Sequence, residues 1–160
     1  MESDWEIAPV LQQIGAHAER VLPLLDRADV RQWAAKGAPD AYAAQLQLSK
    51  DQARALADGA KAMAGNPEAL SAELQVLFRE QGLETLLVSV AEAVRKYQNP
   101  AAAQELVAAA AESGADRDRL EQYVVNLAAE REREYQVMDR EAQRCRALVL
   151  APATPPKKKK

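Results

Sequence analysis

Residues 117–150 read RDRLEQYVVNLAAEREREYQVMDREAQRCRALVL, a long run without a glycine or a proline. Its commonest residues, Arg, Glu, Leu, Ala and Gln, lose little side-chain freedom in a helix. At 1.5 Å per residue the run predicts a helix of roughly 50 Å, longer than a small bundle is wide. Val124, Ala128, Arg131, Tyr135, Met138, Ala142, Cys145 and Val149 recur in alternating steps of four and three, the heptad seam of a coiled coil with Arg131 as its one charged interruption. Leu120 and Leu127 widen the seam where it begins.

Two readings of this helix stand. It either projects as a self-association or partner-binding element, or folds back along the bundle of its own chain. If it projects, Cys145 on the seam meets its own copy in a parallel dimer; if not, Cys145 is a small buried apolar group. Between residues 116 and 146 there are seven Arg against eight acidic side chains, alternating in sign. A helix that reads DNA is far more one-sided, so these charges read as a solvated, ion-paired face.

Upstream the same helical grammar repeats. Ile7, Val10, Leu11, Ile14, Ala18, Val21, Leu22 and Leu25 form one apolar stripe, which Pro23 is expected to kink or end. A short segment, about Ala28 to Lys36, carries Val30 and Trp33 and stops at Gly37. Ser49 followed by Gln52 predicts a capping box for a helix ending at Gly65. Asn66-Pro67 predicts the next start, burying Leu70, Leu74, Leu77 and Phe78 and ending near Gly82. Leu83, Leu86, Leu87, Val90, Ala91, Val94 and Tyr97 then line one side of a further helix that Asn99-Pro100 breaks. The alanine-rich AAAQELVAAAAES predicts a helix wedged between neighbours; Gly114 closes it and Asp116 is expected to cap the long helix. The Asn-Pro pairs at 66 and 99 are spaced like solenoid repeats, but the stretches after them match poorly.

The class is therefore all-α: an irregular bundle of about six helices over residues 1–114, the long heptad-patterned helix over 115–150, and a disordered Pro/Lys tail over 151–160. An apolar fraction of 48% with 28% charged residues belongs to a globular chain. The net charge is -3, and without Lys157, Lys158, Lys159 and Lys160 it is -3 - 4 = -7, so the body repels phosphate. The N-terminus has no signal-like region and no run is long enough to span a bilayer, from which a cytoplasmic location is expected.

Chemistry has little to stand on. His17-Ala18-Glu19 matches the H-x-E of zinc deaminases, yet that site also needs a P-C-x-x-C partner, and the chain has one cysteine. His17, the sole histidine, reads better as a boundary core residue. Zinc sites and Glu-x-x-His carboxylate sites want more His or Cys ligands, and no Gly-rich phosphate loop is present. Ser3, Ser49, Ser71, Ser89 and Ser113 have capping or helix-surface explanations. No catalytic residue, metal or cofactor is assigned, and the expectation is a protein that is not an enzyme. It acts as an adaptor or accessory subunit through protein contact and self-association, with Val124, Arg131, Tyr135, Met138, Ala142, Cys145 and Val149 as the interface and Arg131 setting the register. The alternative is an accessory factor docking Lys157, Lys158, Lys159 and Lys160 on nucleic acid, the lysines held off the body by Pro152, Pro155 and Pro156. A small-molecule-binding or enzymatic helical domain ranks last.

Overall fold

A computed structural model describes residues 4–153, with side chains from Glu6 onward; the four terminal lysines lie outside the described residues. Within that range every regular element is a helix: α1 (Asp4–Asp26), α2 (Val30–Ala35), α3 (Asp40–Ala64), α4 (Leu70–Tyr97), α5 (Pro100–Glu112) and α6 (Gly114–Leu150). No helix among the described residues is long and apolar enough to cross a membrane.

Seven of the eight residues of the predicted α1 stripe, Ile7, Val10, Leu11, Ile14, Ala18, Val21 and Leu25, are buried, and Leu22 is half-buried at its edge. α1 and α4 flank α3, α5 packs on α4, and α6 lies against α1 and α4. The α1–α3 contact is close because both sides are small. A Cβ on Gly15 would come within 3.3 Å of the Ala57 carbonyl, and Ala53, Ala57 and Ala60 complete the opposing face.

α2 has only six residues, too short to persist alone, and is tied down by named bonds. Asp29 caps it by accepting from the Gln32 amide at 3.1 Å. Gly37 turns the chain out of it at φ 83°, a left-handed conformation that favours glycine. One side chain from the end of α4 then closes the corner. Gln98 Oε1 accepts from the Trp33 indole at 3.0 Å and from the Asp29 amide at 2.9 Å, while its Nε2 donates to the Arg27 carbonyl at 2.9 Å. Trp33 beneath this clamp is 1% exposed.

Six local expectations need correction, the first being the Asn66-Pro67 start: α4 begins at Leu70 after Ala69, and Asn66 and Pro67 lie in the connection before it. Pro23 does not end α1, which runs to Asp26; the proline removes a bond only near the helix end, and burial of Val21 and Leu25 holds the turn. Ser49 is no N-cap: α3 starts at Asp40, and the buried Ser49 hydroxyl bonds back to the Gln45 carbonyl at 2.7 Å. Gly82 interrupts nothing, because α4 is one helix from Leu70 to Tyr97 and Gly82 sits on its exposed face with Leu77 and Leu83 buried on the other. Phe78 is 63% exposed, since a rotation of about 100° from buried Leu77 carries it off the inward stripe. Asp116 lies inside the first turn of α6 rather than capping it. By contrast Asn99 caps α5 as expected, its Oδ1 accepting from Ala101 at 2.7 Å and Ala102 at 3.2 Å, with Pro100 at the first helical position.

Candidate interaction helix

The long helix divides into two halves with different surroundings. Leu120, Tyr123, Val124 and Leu127 are buried against the body. Tyr123 donates its hydroxyl proton to the Pro67 carbonyl at 3.0 Å, and Arg117 pairs with Glu84 of α4. Arg131 marks the change: its guanidinium bonds Glu134 at 3.0 Å and approaches Glu68 of the α3–α4 connection at 3.8 Å. The Glu134 hydrogen bond and charge hold Arg131 above the usual arginine pKa.

Every residue from Glu132 to Leu150 is exposed. At 1.5 Å per residue this outer half extends by about 28 Å without resting on the body. The seam residues therefore fall into two groups. Val124 is part of its own chain's core and Ala128 is half-buried, so neither is open to a partner. Tyr135, Met138, Ala142, Cys145 and Val149 share the exposed stripe, with Tyr135 70%, Met138 66% and Val149 83% exposed. Leu148 and Leu150 add to the apolar character of the end, and Cys145, Arg146, Val149 and Leu150 line a shallow, mostly apolar depression there. Large apolar side chains placed consistently on one stripe mark a contact surface more strongly than scattered ones.

A second feature lies on the buried face of α4 and was not legible as a site. Glu73 and Glu80 of α4 are both buried, and counting down by sevens from the core residues Val94 and Leu87 lands on them. That spacing is the signal, though an acidic residue on an apolar stripe reads as an interruption until its partners are known. The Ser113 hydroxyl donates to Glu80 Oε1, which explains why Ser113 offers α6 no side-chain cap. His17 lies 4% exposed nearby, its Nε2 donating to the Ala109 carbonyl at 2.6 Å; a carbonyl only accepts, so the proton sits on Nε2. Burial pushes the Glu80 carboxyl above its ordinary pKa, and the Ser113 hydrogen bond and the Arg117 charge offset only part of that rise.

The sign of the pH dependence follows. A carboxyl with a raised folded pKa favours the folded state when protonated, a contribution complete below about pH 4.5 and lost as pH rises through the folded value. Glu80→Gln, which retains an oxygen for Ser113, is therefore expected to be more stable than the parent at pH 7 and to match it below pH 4.5. Urea denaturation across that range measures the gap; a gap that stays constant with pH would contradict this account of Glu80.

Among the described residues no group of three or more His, Cys, Asp or Glu side chains is placed to hold a metal ion. Comparison with family models, with curated proteins and with solved structures found no match to this chain.

Proposed function

We propose that this protein is a non-enzymatic helical adaptor or assembly subunit that works through protein-protein contact, including contact with its own copies, and that the outer half of α6 is its docking element. The observation that carries this reading is the exposed stripe of Tyr135, Met138, Ala142, Cys145 and Val149 on a helix whose inner half is locked into the body. Such a stripe has the spacing that places side chains into the gaps of a facing helix. The surrounding charges alternate in sign, which suits pairing across a helix interface better than it suits tracking a phosphate backbone.

Met138→Glu tests it. The side chain is solvent-facing in the single chain, so the substitution leaves the unfolding transition in place. It puts a charge in the middle of the stripe and is expected to reduce the assembled mass in light scattering to that of one chain. An assembled parent whose mass Met138→Glu leaves unchanged, or a parent that stays monomeric at every concentration, would remove the outer stripe from this role.

A further inference from the structure

The charges beside the outer stripe say more than that it is a contact surface: they choose an orientation. On the seam of α6, Arg131, Met138 and Cys145 occupy one of the two inward heptad positions, and Tyr135, Ala142 and Val149 the other. The residues just after the first set, Glu132, Asp139 and Arg146, flank one edge of the stripe. Those just before the second set, Glu134, Glu141 and Leu148, flank the other.

In a parallel pair of helices each flanking residue meets the opposite flank of its partner five residues on. Glu134 would then face Asp139 of a second copy, twice over, and Arg131 would face Arg131 across the seam. Only Glu141 with Arg146 of the second copy is complementary. The parallel mode also crowds the two bodies together, because both inner halves of α6 are packed on bundles at the same end.

In an antiparallel pair each flank meets its own kind, and the outcome depends on how far the helices overlap. When Tyr135, Met138 and Ala142 stand opposite Cys145, Ala142 and Met138 of the second copy, Asp139 faces Asp139 and Glu141 faces Glu141. Sliding the helices apart by half a heptad per chain changes every pair. Met138 then stands opposite Val149, Ala142 opposite Cys145, Asp139 opposite Arg146 and Glu141 opposite Leu148, each occurring twice by symmetry. No like charges meet, and Arg131 falls outside the overlap, free to keep the Glu134 and Glu68 contacts it already makes. The depression lined by Cys145, Arg146, Val149 and Leu150 lies where Met138 of the second copy arrives.

We infer that the outer half of α6 pairs antiparallel with the same segment of a second copy, Met138 against Val149 and Asp139 against Arg146, joining two bodies at opposite ends of a short two-helix bridge. This rests on the reading of the outer stripe as a self-association surface, and it adds the partner, the direction and the register.

Disulfide trapping on the full chain tests it, in a Cys145→Ser background that removes the native thiol. Met138→Cys and Val149→Cys chains, mixed in a glutathione redox buffer, are expected to give mainly the mixed disulfide, because opposed positions in one layer bring Cα atoms within disulfide range. In the parent background, Asp139→Arg supplies a second reading. The antiparallel pair then sets the introduced guanidinium against Arg146, twice, and the dissociation constant rises by roughly threefold to tenfold. The parallel pair would gain attraction to Glu134 and tighten. Self-linked Val149→Cys dominating over the mixed disulfide, or a tighter Asp139→Arg assembly, overturns the antiparallel register while leaving self-association standing. An assembled protein that forms neither disulfide overturns the register too. A chain that remains monomeric in light scattering at all concentrations overturns both.

Discussion

Leu120→Ala is expected to lower the unfolding free energy by about 2–5 kcal/mol, whereas Met138→Ala, on the same helix, is expected to change it by less than about 0.5 kcal/mol. The two leucine-sized side chains differ in what surrounds them. Leu120 is fully buried where α6 crosses the body, and truncating it opens a cavity that packed neighbours fill only in part. Met138 touches solvent over most of its surface, so its truncation forfeits little packing in the single chain. Urea denaturation at a protein concentration giving the one-chain mass compares them directly, since association would otherwise add its own stabilisation. Similar losses at both positions would mean that the outer half of α6 packs on the body after all.

Trp33→Ala carries the other large effect, a loss of about 3–5 kcal/mol. The indole is the main apolar anchor of a six-residue helix that cannot hold itself together, and it is nearly inaccessible. Its removal also takes one of the donors from Gln98 Oε1, although the Asp29 amide keeps that oxygen occupied. Trp33→Phe is therefore expected to cost much less than the alanine variant, because the ring volume is largely kept. A loss below about 1 kcal/mol for Trp33→Ala would show that α2 is dispensable to the fold.

The all-α class, the stripe of α1, the Asn99-Pro100 start and the Gly65 stop were legible because each depends on short-range chemistry: a 3.6-residue period, a side-chain cap, a missing N–H. The errors at Pro23, Ser49 and Gly82 share one cause. Each residue breaks or starts a helix only when its neighbours are free, and here buried Leu25, Leu46 and Leu83 hold the chain helical across it. The outer stripe of α6 could be written down from spacing alone, yet Val124 and Tyr135 look alike in that pattern. Only tertiary packing separates the one in the core from the one in water. The Glu80–Ser113 pair was out of reach for the same reason, one partner lying on α4 and the other in the turn between α5 and α6, far apart in sequence.

The unbroken backbone of α6 has a kinetic consequence. Starting a helix in water is costly because several residues must be fixed before the first hydrogen bond forms, but extending an existing one is nearly free. The inner turns, clamped by Leu120 and Leu127, act as a permanent seed for the turns beyond Arg131. The outer segment thus stays wound before it meets anything, fraying only from its Leu150 end. On the proposed docking role, a partner helix would encounter a rigid, pre-shaped surface and need not wait for a disordered segment to fold, so association would be limited by encounter and orientation.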